Sequence, residues 1–204
     1  MARPREFDEG AALKEATERF WLHGFGGSSV RDLAECMGIT GASLYNAFGD
    51  KRGLYRLAFE QYVETGLRER IRRLEGTLPP RAAIEAFLQE IVQLSVSDPQ
   101  HKGCLIVNSA LELSPVDPEF QALIATVLRD MENFFHRCVH AGQKDGSIDD
   151  TLSPRDLART MLSVLLGLRV LARSRPEPQL LRGALRPVQA LLAPARGGKV
   201  GKKP

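Results

Sequence analysis

The chain has 204 residues, with 28 basic against 25 acidic side chains and 43% apolar residues. A net charge of +3 is too small to mark a nucleic-acid partner by itself, and the apolar content suffices for one large domain or a small domain joined to a larger one. Three cysteines, Cys36, Cys104 and Cys138, make no disulfide framework and fit a reducing cytoplasm. The N-terminal MARPREFDEG lacks the apolar stretch of a signal peptide. The longest apolar run, 161–172, is too short for a bilayer and carries Arg169. The expectation is a soluble cytoplasmic protein with no membrane partner.

Apolar residues recur at helical spacing almost throughout and no segment alternates as a strand does, so the predicted fold class is all-α, with about nine helices. The first helix covers 7–23, with Leu13, Ala16, Thr17, Phe20 and Trp21 on one face, and Gly24, Gly26 and Gly27 stop it. Ser29 is placed to cap the second helix, with Asp32 as a capping-box partner, and Gly38 ends it. Thr40 or Gly41 starts the third, which ends near Phe48. Asp50 caps a fourth, from 51 to about 74. Gly76, Pro79 and Pro80 mark the clearest boundary. Further helices are expected over 81–97, 104–113, 118–142, 154–174 and 177–193, and Pro187 should kink or split the last. The basic tail 196–204 is expected to be disordered.

The stretch around Gly38 has the spacing of a helix-turn-helix. Leu33 and Met37 lie on the inner face of the first helix of the pair, and the small Ala34 permits a close crossing. Gly38 can take the positive φ that the corner needs, Ile39 plugs the turn, and Leu44 and Ala47 face back into the core. The following short helix would then present Thr40, Ala42, Ser43, Tyr45 and Asn46, a suitable set for a major groove. The competing reading is a helical hairpin inside a bundle.

The segment "SSVRDLAECMGITGASLYNAFGDKRGLYRLAFE", with the preceding "ALKEATERFWLHGFGGSSV", resembles the DNA-binding part of TetR-type transcriptional repressors. The resemblance covers about residues 7–60. It implies a homodimer of all-α subunits with a helix-turn-helix head over 1–50, which binds a palindromic operator. It also implies a helical effector-binding and dimerisation domain over 51–195. Family DNA contacts fall on Ser29, Arg31, Thr40, Ser43, Tyr45, Asn46 and Lys51. Asn46 stands where a histidine is frequent, which bears on the operator sequence and not on docking. The residue chemistry agrees with these assignments. Asn46 can pair with an adenine edge or touch phosphate, and the Tyr45 hydroxyl can reach phosphate unless the ring is half-buried core. Lys51 sits at a helix N-terminus that already favours anions, although a solvated surface lysine would read the same way. Residues 1–52 carry 7 basic and 8 acidic side chains, so any positive face must come from clustering; Arg3 and Arg5 form a short arm that could join it.

For the larger domain, Leu157, Met161, Val164, Leu165, Leu168 and Leu171 form one apolar stripe, and Leu181, Leu185, Val188 and Leu192 form another. They suit a four-helix contact between two subunits, or the chain's own core. Candidate lining residues for a small-molecule effector are Phe87, Ile91, Leu94, Ile106, Phe134 and Phe135. Cys104 is expected at a helix start with His101 and Lys102 just before it, where a thiolate would be favoured. The surrounding "DPQHKGCLIVNSALEL" also resembles the Gly-Cys segment of a TetR-type subgroup that includes sensors of thiol-reactive compounds. The alternative is a cysteine that simply fills space. His136 and His140 lack a third metal ligand nearby in sequence, so neither metal nor cofactor is expected. No HExxH, phosphate loop or Gly-x-Ser-x-Gly elbow appears, which argues against an enzyme. The competing function is a helical-bundle metal-binding protein or enzyme with no DNA role.

Overall fold

A computed structural model describes residues 7–194, and these are helical throughout with no strand among them. The arm at Arg3 and Arg5 and the tail over 196–204 lie outside the described residues. The helices are α1 (Glu9–His23), α2 (Val30–Cys36), α3 (Gly41–Phe48), α4 (Lys51–Tyr62), α5 (Glu69–Thr77), α6 (Pro80–Ser97), α7 (Leu105–Glu112), α8 (Pro118–Lys144), α9 (Pro154–Ser174), α10 (Pro178–Gly183) and α11 (Leu185–Leu191).

Two departures from the predicted helices have local causes. Between α4 and α5 the backbone stays helical but runs as a π-helix over Val63–Arg68, with Glu69 N–H donating to the Glu64 carbonyl. There the Thr65 hydroxyl competes for the Gln61 carbonyl at 2.9 Å, and Gly66 adds no side chain to hold the regular register. The last helix does divide, but at Ala184 rather than at Pro187. The proline ring excludes a helical bond to the carbonyl four residues back, on Gly183, so the break appears one turn upstream of its cause.

The described residues form two packed units. The first holds the chain up to Glu69 together with Lys102–Ala125; the second holds Arg70–His101 together with Thr126 onward.

In the first unit α1 packs on α4 and α2, α3 on α2 and α4, and α7 on α1 and α4. Tyr55 lies at its centre, 1% exposed, with edge-on ring contacts to Phe20 at 4.7 Å, Phe25 at 5.2 Å and Phe120 at 5.5 Å. Its hydroxyl is 2.8 Å from Ser109 Oγ. The Ser109 proton is committed to the Leu105 carbonyl at 2.6 Å, so Tyr55 is the donor of the pair. Burial pushes the Tyr55 phenol up to about 12, so it keeps its proton at neutral pH.

In the second unit α6 packs against α9, α10 and α11. Phe87, Phe134 and Phe135 form a closed aromatic trio with centroids 5.2–5.6 Å apart. Leu157, Met161, Leu165 and Leu168 are buried within the chain, as are Leu181, Leu185, Val188 and Leu192; Val164 and Leu171 are half-buried. The two apolar stripes therefore close the chain's own core instead of standing free for a partner. A helical period reports that a face is apolar and says nothing about what covers it. Arg169, on the buried side of α9, donates to Ser95 Oγ at 3.0 Å.

Candidate nucleic-acid interface

The helix pair is built from local signals. At the start of α2 the Ser29 hydroxyl accepts from Asp32 N–H at 3.1 Å, and the Asp32 carboxylate accepts from Ser29 N–H at 3.0 Å, which completes a capping box. Those hydrogen bonds from Ser29, with Arg19 at 3.1 Å, hold the Asp32 carboxyl below its ordinary range. Gly38 takes φ +66° at the corner. Ile39 N–H reaches the Ala34 carbonyl at 3.0 Å and Gly38 N–H the Glu35 carbonyl at 3.1 Å, the bonding of a glycine-terminated helix end. Thr40 caps α3 through Ser43 N–H at 3.1 Å, and Asp50 caps α4 through Gly53 N–H at 2.6 Å.

Leu33, Ala34, Met37, Leu44 and Phe48 are buried between the helices, and full burial of each leucine contributes roughly 1.5–3 kcal/mol. This packing leaves the other face of α3 open. Thr40 and Asn46 are exposed, Tyr45 is 52% exposed, and Ser43 is partly so. The half-buried alternative for Tyr45 therefore does not hold. Ser29 and Arg31 are exposed at the start of α2. Lys51, in the first turn of α4, is half-buried with its ammonium 4.3 Å from the centroid of the Phe25 ring, which ties the α1–α2 corner to the start of α4.

Some residues that position this pair have no counterpart in the sequence reading. Glu112, at the end of α7, accepts from Phe25 N–H at 2.9 Å and Gly26 N–H at 2.6 Å. Arg52 forks onto Asp117 and also bonds Glu119, and Arg56 bonds Glu119 and Glu60. Lys102, which the sequence offered only as a cation just before Cys104, pairs with Glu18 at 2.6 Å and lies 4.3 Å above the Trp21 ring. Apart from Arg56 and Glu60, which are four residues apart on α4, the partners are far apart in sequence, and nothing local to either end announces them.

The remaining candidates separate by location. Cys104 is the N-cap of α7, buried, and its sulfur accepts from the Tyr62 hydroxyl at 3.7 Å. Among the effector-lining candidates, Phe87, Ile91, Phe134 and Phe135 are buried in the second unit, Leu94 is 47% exposed, and Ile106 is buried in the first unit. His136 and His140 stack with centroids 6.1 Å apart, and no cluster of three metal-ligating side chains occurs among the described residues. No described helix is long and apolar enough to cross a membrane.

Comparison with known proteins adds to this geometry. Residues 12–58 match the family model described as bacterial regulatory proteins, tetR family, and residues 80–188 match the tetracyclin repressor-like C-terminal domain. The chain is 34% identical over 178 residues to the uncharacterized HTH-type transcriptional regulator YezE of Bacillus subtilis (strain 168), covering 85% of this chain and 90% of that protein. It is 26% identical to the HTH-type transcriptional repressor ComR of Escherichia coli (strain K12), over 84% of this chain and 82% of that one. Among solved structures, a cysteine mutant of the TetR family regulator CifR in complex with 26-base-pair operator DNA superposes with a TM-score of 0.83 at 31% identity, covering 94% of this chain and 100% of that one. With an exposed, capped α3 behind a glycine corner inside the N-terminal match, and the C-terminal match beyond it, this chain is a member of the TetR family of helix-turn-helix transcriptional regulators, which are not enzymes.

Proposed function

We propose that the protein is a ligand-responsive repressor that binds a palindromic operator as a homodimer and is released by a small molecule or a thiol-reactive compound. Residues 1–50 form the DNA-binding part and 51–195 the effector-binding and dimerisation part. The observation that carries the reading is the open face of α3, with Thr40, Ser43, Tyr45 and Asn46 at the surface while Leu44 and Phe48 anchor the opposite side. Ser29, Arg31 and Lys51 flank that face and supply the phosphate contacts. The operator-bound relative described above supports this docking, and the name of ComR supports repression.

For the dimer, the apolar stripes are already covered by the chain, so the contact uses the opposite face of α9. There Thr160, Ser163, Gly167, Val170 and Ser174 follow one another at intervals of three and four and are exposed. Small residues at this spacing let two helices approach closely. Cys104 is the proposed thiol sensor. What supports this is its place as the N-cap of α7, at the end of the helix where backbone N–H groups point outward. A non-covalent effector would instead meet the apolar residues of the larger domain.

A gel shift with the DNA upstream of the protein's own gene tests the reading. Tyr45→Ala and Lys51→Ala should each weaken the shift with little change in folding. Lys51→Ala should also lower the salt slope by about one, as expected when one phosphate contact is lost. Unchanged affinity in both variants would remove these residues from the interface, and a monomer mass by light scattering at micromolar protein would remove the dimer.

A further inference from the structure

The α2–α3 pair is held at both ends by carboxylates from one short stretch, residues 112–119. At the leading end, Glu112 Oε2 accepts from Phe25 N–H at 2.9 Å and Oε1 from Gly26 N–H at 2.6 Å. The corner is shaped around this carboxylate. Gly24 has φ +76°, and a Cβ there would stand 2.7 Å from Glu112 Oε2; a Cβ at Gly26 would stand 3.1 Å from Oε1. At the trailing end, Asp117 takes Arg52 in a two-bond fork, Nε to Oδ2 at 2.9 Å and Nη2 to Oδ1 at 3.2 Å, and Glu119 takes the same guanidinium at 2.6 Å. Arg52 lies in the first turn of α4, next to Lys51.

We propose that Glu112 and Asp117 are positioning residues for DNA binding, which fix the α2–α3 pair in its binding orientation without touching DNA. The proposal rests on the reading that residues 29–51 meet the operator. The physical argument begins with helix length. The two helices have seven and eight residues, too few to hold a geometry of their own in water. Their orientation is therefore set by what they pack on and by what holds their ends. A carboxylate accepting two backbone N–H groups fixes a glycine corner that would otherwise sample many conformations. The Arg52–Asp117 fork fixes a plane at the other end. Both anchors come from the end of α7 and the turn that follows it, so any displacement of α7 reaches both ends of the helix pair together. Glu112 and Cys104 terminate the same helix, about 12 Å apart at 1.5 Å per residue.

The test uses the full chain with Glu112→Gln and Asp117→Asn, titrated against the upstream DNA fragment, with Tyr45→Ala measured alongside. Glu112→Gln keeps the volume but turns an amide NH2 toward a backbone N–H. Each variant is expected to bind about tenfold more weakly, because lowering the binding-competent population to a tenth lowers the apparent affinity by the same factor. The endpoint of a stoichiometric titration should stay at the wild-type level, because the conformers interconvert and DNA draws all of the protein into the complex, and the salt slope should be unchanged because no phosphate contact is lost. In Glu112→Gln the Gly26 amide proton should move upfield, reporting loss of its bond to a carboxylate. Wild-type affinity in both variants, with Tyr45→Ala weakened, overturns the proposal. Tighter binding also overturns it, since the carboxylates would then act as repulsive charges beside DNA. If Tyr45→Ala binds like wild type too, the DNA-binding reading itself fails and the proposal falls with it.

Discussion

Gly24→Ala puts the α1–α2 corner under a measurable load. Gly24 has φ +76° and ψ 178°, a backbone region that only glycine occupies freely, and holding alanine there costs about 1–3 kcal/mol. The added Cβ would also meet Glu112 Oε2 at 2.7 Å. That atom is the end of a flexible side chain, so Glu112 would swing away and give up its bonds to Phe25 and Gly26 N–H. Hydrogen bonds to a charged group contribute ~1.5–3 kcal/mol each, and the half-exposed setting argues for the lower end, so the two bonds and the strain together should cost about 4–6 kcal/mol. Urea denaturation followed by far-UV circular dichroism measures it as a lower midpoint at constant slope. The two causes separate in a Glu112→Ala background. There only the backbone strain remains, so Gly24→Ala should cost less than in wild type by about 3 kcal/mol, the two bonds that are no longer there to lose and a coupling within the range of touching groups. Equal cost in both backgrounds would show that Glu112 does not occupy the corner. A loss below about 0.5 kcal/mol in wild type would refute the strain argument as well.

Other expectations follow from the same geometry. Tyr55→Phe should cost about 1 kcal/mol in the same urea assay, because Ser109 keeps its bond to the Leu105 carbonyl and only one neutral hydrogen bond is lost; a loss above about 3 kcal/mol would contradict that. The Arg52 fork, with the Phe120 and Glu119 backbone N–H groups, lowers the Asp117 carboxyl to about 2 from 3.8. Its stabilisation is then fully present above pH 3.8 and lost as pH falls through about 2, so stability should fall more steeply across that window in wild type than in Asp117→Asn. Equal slopes would refute it. Burial pushes the Cys138 thiol up to about 12 and raises that of Cys36, so both stay protonated at pH 8 and should label slowly with a maleimide. Under the proposed sensing role Cys104 labels first, and Cys104→Ser keeps operator binding but loses release by electrophiles; a Cys104 slower than the other two ends that role.

The helix pair was legible because its determinants are local. Ser29 with Asp32, Gly38, Thr40 and Asp50 each act within three or four residues of themselves, and each does in the fold what its position suggested. The larger domain was legible as helices but not as surfaces. Leu157, Met161, Leu165 and Leu168 carry the same pattern whether another helix of the chain or a second subunit covers them, and here the chain does. The Gly24–Gly27 corner shows the same limit from the other side. Its glycines announced a turn, but the carboxylate that fills it comes from Glu112, 86 residues beyond Gly26. The π-helical turn and the break at Ala184 lie between these cases, since their causes are local but act a few residues away from where they are visible.

Ser29 and Thr40 show why a structural and a functional reading of one residue need not compete. A hydroxyl has one proton to give and two lone pairs to accept with. Capping uses a lone pair: Ser29 Oγ accepts from Asp32 N–H, and Thr40 Oγ1 accepts from Ser43 N–H. In the proposed contact, phosphate oxygens need a donor, which capping leaves unspent. The Ser29 proton is therefore available while the cap stays intact. The Thr40 proton is shared with Ser43, whose hydroxyl lies 2.9 Å away, so that pair presents one proton between them once the other is engaged. Ser29→Ala then removes cap and phosphate donor together, whereas Ser29→Asp keeps an acceptor for the cap and sets a negative charge where the phosphate would lie. If Ser29 contacts DNA, Ser29→Asp should hold stability near wild type yet bind more weakly than Ser29→Ala. If Ser29 only caps, the aspartate variant should be the tighter binder of the two, and a gel shift on both variants with a parallel urea titration decides between them.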